Sequence, residues 1–107
     1  MRIETGHVQL LISYTLRADV EEGDYEDWAR QVAKPWWEDQ PGYRALRGYY
    51  TVLGSGARLY IEIDVDHYES LAKILGSPGW NEMRRDLGRF AEDIDARILA
   101  PTGRLPG

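Results

Sequence analysis

The chain contains no cysteine in its 107 residues. Disulfides, thiolate metal sites, iron–sulfur ligation and a cysteine nucleophile are therefore excluded, and the composition fits a reducing compartment, so a cytoplasmic location is expected. It has no surplus of positive charge: 18 acidic against 13 basic residues leave a net −5. That balance disfavours a nucleic-acid partner or an anionic membrane surface. No apolar run approaches the roughly 20 residues of a membrane span, and Met1 to Gly6 carry no apolar stretch of the kind that forms a signal peptide. Phosphate-loop and serine-nucleophile patterns are also missing. Gly54-Ser55-Gly56 has no helix behind it, and there is no G-x-S-x-G. No linker, repeat or low-complexity tract divides the chain, so residues 1–107 read as one domain with 101–107 as a loosely packed tail.

What is present is clear periodicity. From His7 to Leu16 the chain alternates, with Val8, Leu10, Ile12, Tyr14 and Leu16 on one face and Gln9, Ser13 and Thr15 on the other, interrupted only by Leu11. This predicts a half-buried strand. An acidic connection follows. Tyr25, Trp28, Ala29, Val32 and Trp36 then recur at helical spacing, with Pro35 expected to kink or shorten the helix. Adjacent helical residues point about 100° apart. Trp36 is thus expected on the buried stripe, and Trp37 in a cleft, in an interface or on the surface. Alternation over Tyr43 to Leu53 and over Arg58 to Asp66, around Gly54-Ser55-Gly56, predicts a hairpin. His67 to Leu75 reads as a short helix. Ser77 and Pro78 open another that buries Trp80, Met83, Leu87, Phe90, Ala91 and Ile94, and Arg97 to Pro101 is expected as a short last strand.

The order strand, helix, strand, strand, split helix, strand is the split βαβ plan of an α+β, ferredoxin-like fold. Its four-stranded antiparallel sheet carries the helices on one face. The other face would show Leu11, Ser13, Arg47, Tyr49, Tyr60 and Glu62, a mixture of aromatic and polar groups. A second copy packed sheet to sheet would cover it and enclose a space for a small organic molecule. Equally, Arg47 with Glu62 reads as a cross-strand ion pair and Tyr49 with Tyr60 as an aromatic pair. Asp64-x-Asp66-His67 holds possible metal ligands, but without a second nearby histidine it reads better as a polar strand end with Asp66 capping the next helix. No metal is expected.

Three stretches resemble the dimeric α+β barrel superfamily, in particular its NIPSNAP-like and antibiotic-biosynthesis-monooxygenase-like groups. They are Lys34-Pro35-Trp36-Trp37 running into Gln40-Pro41-Gly42-Tyr43, then Ser77-Pro78-Gly79-Trp80, and last Asp95-Ala96-Arg97-Ile98-Leu99-Ala100-Pro101. The resemblance implies a homodimer with a cleft between sheet and helices in each protomer. It also implies a cofactor-free monooxygenase or cyclase as one possible activity, and a non-catalytic dimerisation or ligand-sensing module as the alternative. The haem-degrading members' set of Asn, Trp and axial His is not matched: Asn81 opens a helix, and no strand carries a tryptophan. For oxygenase chemistry His67 is the candidate base, because histidine's ordinary pKa lies nearest neutrality. Tyr60 is its catalytic companion, and Arg47, Tyr49, Glu62, Ser13 and Trp37 are the candidate substrate contacts. No cofactor is called for.

Overall fold

The computed structural model describes residues 7–101. Strand β1 (Val8–Leu16) is followed by helix α1 (Glu22–Trp28), which passes through a π-helical segment (Ala29–Ala33) into α2 (Lys34–Glu38). Then come β2 (Tyr43–Tyr50), β3 (Leu59–Val65), α3 (Tyr68–Leu75), α4 (Pro78–Leu87) and β4 (Ala91–Leu99). The sheet order is β2-β3-β1-β4, with every neighbouring pair antiparallel. This is the expected ferredoxin-like α+β fold. The expected tail at 101–107 lies, beyond Pro101, outside the described residues.

Alternation places the core. Val8, Leu10, Ile12 and Tyr14 are all buried, and across the ladder Leu10 sits opposite Ile63, which sits opposite Leu46. The molecule measures 44 × 33 × 18 Å. Its short axis is the thickness of a sheet with one layer of helices, each about 10–12 Å across. Among the described residues no element lies over the opposite sheet face.

The structure differs from the sequence expectation in the end of the second strand, in the junction of the last helix and strand, and in the tryptophans. Strand β2 ends at Tyr50 because Tyr50 opposite Leu59 is the last ladder pair. Beyond it Thr51 closes the hairpin, accepting at its carbonyl from the Arg58 side chain and donating from Oγ1 to Ala57 O at 2.6 Å, while Gly54 and Gly56 take φ of 124° and 102°. Helix α4 stops at Leu87, so Phe90, Ala91 and Ile94 belong to the connection and to β4. The last strand is accordingly nine residues long rather than a short piece after Arg97. Asp93, at φ 55°, is the extra residue of a β-bulge where Ser13 faces Asp95 but Thr15 faces Glu92.

The third difference concerns the tryptophans. In a regular helix the stripe of Tyr25, Trp28 and Ala29 continues through Val32 and Trp36. Here Val32 is 42% exposed, Trp36 is half-buried, and Trp37 is buried at 3%. A π turn holds one residue more than an α turn. It moves the buried stripe on by one, to Ala33 and Trp37. Pro35 gives the reason. Its ring would strike the carbonyl four residues back, that of Gln31, so the turn before it widens instead of breaking.

Candidate functional site

The helix layer does not close completely over the sheet. Between the α1–α2 helix and α4 lies a narrow cleft whose floor is the buried face of the strands, with Ile12, Tyr14, Leu46, Ile61 and Ile94. Its walls include Trp28, Trp37, Trp80 and Met83. Its enclosed volume is small, about 80 Å³, and it opens to solvent at its mouth. Each wall follows from a local feature. The π segment turns Ala33 and Trp37 inward. Ser77 Oγ caps α4 by accepting from the Trp80 N–H at 3.3 Å, with Pro78 at the first helical position as expected. Gly79 lets α4 approach closely, since a Cβ there would lie 3.2 Å from the Trp36 indole nitrogen. Trp37 stands between its neighbours, 4.8 Å from Trp36 and 5.7 Å from Trp80 between ring centroids, both pairs edge to face.

Few polar groups reach the cleft. The hydroxyls of Tyr14 and Tyr25 hydrogen-bond to each other, with their rings edge to face at 5.9 Å. Burial, then the neighbouring Tyr25 hydroxyl, pushes the Tyr14 phenol far above its ordinary value. Burial also raises Tyr25, aided by Glu26 and opposed by its bond to Tyr14. Both are neutral hydroxyls at physiological pH. The indole Nε1 of Trp28 is buried with no partner. Lys34 and Arg84, both exposed, complete the lining, which includes no carboxylate and no histidine. The cleft can hold an apolar body and donate hydrogen bonds to it, but its lining supplies no carboxylate or imidazole to act as a base.

Of the residues singled out from sequence, Trp37 is in this cleft. Ser13, Tyr60 and Tyr49 form one row across the open sheet face, each opposite the next, with Leu11, Glu62 and Arg47 in the row beside it. Arg47 Nη1 donates to Glu62 Oε1 and to Asp64 Oδ2, each at 2.9 Å, and Gln9 Nε2 donates to the same Glu62 oxygen at 3.2 Å. The bond to Asp64 and that residue's charge raise the Arg47 pKa further. Ser13 and Tyr60 border a shallow hollow on this face with Asp93, Asp95 and Arg97. His67 lies at neither place. It is exposed at the start of α3, as its N-cap residue, without a side-chain capping bond.

Asp66 therefore does not cap α3. Its Oδ1 is buried without a partner, against Gly42. Gly42 has φ 86°, and a Cβ there would overlap Asp66 Oδ1 and lie 2.9 Å from Ser70 Cβ, so only glycine fits that turn. Among the described residues no three metal-ligating side chains converge, and no helix is long and apolar enough to cross a membrane.

The sequence reading missed Tyr14, Tyr25 and Trp28 as site residues because each sits on a buried stripe. The available signal was that all three are aromatics with a polar tip, placed on core faces where that tip needs a partner.

The four-stranded ferredoxin-like sheet with helices on one face is a fold that other solved structures share. A hypothetical protein of Arabidopsis thaliana superposes with a TM-score of 0.76 at 16% identity, over 99% of this chain and 97% of that one. An EthD family protein of Bacillus halodurans gives 0.71 at 19%, over 90% and 99%. SnoaB, a cofactor-independent oxygenase of Streptomyces nogalater, gives 0.71 at 14%, over 95% and 99%. At these identities the likeness establishes the fold. No family model matches the chain, and no curated protein matches it.

Proposed function

We propose that this chain binds a small, largely apolar or aromatic molecule in the cleft between its sheet and helices. The observation that carries the reading is the cleft itself: three tryptophan walls, an apolar floor and only neutral donors inside. Support comes from the fold's other users. These include SnoaB and a monooxygenase of Streptomyces coelicolor solved in complex with nanaomycin D, which resembles this chain with a TM-score of 0.68 at 13% identity over 96% of it and 93% of that chain. Mass spectrometry of compounds released when the purified protein is denatured tests the reading. An apolar or aromatic compound in stoichiometric amount is expected. No such compound, together with no binding of an aromatic probe panel, would refute it.

The activity that fits this reading is cofactor-independent oxygenation in the manner of those neighbours. An activated methylene of the ligand would lose a proton and pass electrons to O₂. One oxygen atom would enter the product as a carbonyl, and the other would leave as water with the methylene's two hydrogens. Oxygen uptake with a polycyclic ketone such as anthrone tests this step. The assignment of His67 as base with Tyr60, and of Ser13, Arg47, Tyr49 and Glu62 as substrate contacts, belongs to a different place from the cleft, the sheet faces a homodimer would enclose, and within one chain His67 stands apart from that row. If neither His67→Ala nor Tyr60→Phe alters uptake, that assignment is removed. A second reading, a non-catalytic ligand-sensing dimer, is favoured by one specific observation: Arg47 is already held by Glu62 and Asp64. Both readings take the chain as a cytoplasmic homodimer.

A further inference from the structure

The polar groups lining the cleft differ in exposure, and that difference selects a class of occupant. Trp28 lines the cleft at 8% exposure, and its buried indole N–H has no acceptor. Beside it two phenol hydroxyls share a single hydrogen bond, which uses one of their two protons and leaves the other free to donate. Burial keeps both phenols protonated. A buried donor without a partner is costly, and an acceptor on a ligand removes that cost. At the rim stand Lys34 and Arg84, both exposed. Among the described residues the ion pairs involve other side chains, and no carboxylate lines the cleft. The mouth is therefore locally cationic on a chain of net charge −5.

The geometry points to an occupant with three parts: an apolar ring-sized body, an uncharged acceptor oxygen of ketone type at its buried end, and a carboxylate at its outer end. This is the class of aryl or alkyl keto acids. It rests on the cleft being the binding site and adds what fills it. A cationic ligand is excluded, because no lining group would balance its charge.

A matched set of probes tests it on the unmodified protein by titration followed by NMR. 4-Acetylbenzoate carries acceptor and anion, 4-ethylbenzoate the anion alone, and 4-methylacetophenone the acceptor alone. The first is expected to bind about tenfold more tightly than either of the others, the increment of one hydrogen bond or one partly solvated charge pair. Its advantage over 4-methylacetophenone shrinks as salt rises, because the rim is exposed. Trp28→Phe should erase only the advantage over 4-ethylbenzoate. The double variant Lys34→Gln with Arg84→Gln should erase only the advantage over 4-methylacetophenone. Equal binding of all three probes would overturn the keto-acid assignment and leave the apolar site standing. Binding of none would overturn the site as well. Because the probe series needs no variant, loss of folding in Trp28→Phe leaves the comparison intact.

Discussion

Tyr14 and Tyr25 tie the first strand to the first helix through a hydroxyl pair that burial holds in the neutral form. The sign of the resulting pH dependence follows from the raised folded pKa. Below about pH 10, the ordinary phenol value, both folded and unfolded tyrosines are protonated and the contribution is complete. Above it the unfolded chain ionises first, so stability falls as pH climbs toward the folded value. Urea midpoints between pH 8 and 11 should decline for the native chain and decline less for Tyr14→Phe. Parallel curves would contradict the buried pair. A second residue-scale test separates the neighbouring tryptophans. Trp37→Ala should cost about 3–5 kcal/mol, as for a large buried aromatic, and Trp36→Ala clearly less, read by urea unfolding. The reverse order would restore the regular helical stripe. On the open face, Arg47→Met should lower Tm by leaving the buried Asp64 carboxylate without its cation. Replacing Asp64 with Leu in the same chain should recover part of the loss.

At the scale of elements, the strands were legible because one buried face imposes a period of two, and burial alternates in step with it from Val8 to Tyr14. The cap at Ser77 was legible because serine before proline has a defined role at a helix start. Two features were not. A π turn adds one residue without changing composition, so periodicity counted at the α-helical pitch places Trp36 inside and Trp37 out. The end of α4 was hidden because Phe90, Ala91 and Ile94 fit a helical stripe, while the bulge at Asp93 breaks the alternation that would have marked a strand. The candidate site suffered from the same ambiguity. Tyr14, Tyr25 and Trp28 look like plain core until the facing elements are brought together. The π segment also carries its own prediction. Deleting Val32, which is exposed, removes the extra residue and sets the Pro35 ring against the carbonyl four residues back in a regular helix. The variant should fold with a lower Tm, by about 10 °C or more, which is about 2 kcal/mol for a domain of this size. An unchanged or higher Tm would show that the widened turn does not serve Pro35.

At the scale of the molecule, one sheet face is covered by helices and the other is bare among the described residues. Tyr49 is 50% exposed on that bare face, and the hairpin beyond it leaves Val52 and Leu53 at 86% and 96%. Sedimentation equilibrium at micromolar concentration should give twice the chain mass for this protein, and Tyr49→Glu should shift it toward the single chain. A monomer under those conditions would leave Ser13, Tyr60 and Arg47 on a solvated surface. The most direct test of the account is therefore which face a ligand touches. In a ¹H–¹⁵N spectrum of the indole N–H signals, adding an aromatic probe should move Trp28, Trp37 and Trp80 most and Trp36 least. Unmoved indoles, with shifts confined to the backbone around Tyr49 and Tyr60, would contradict it.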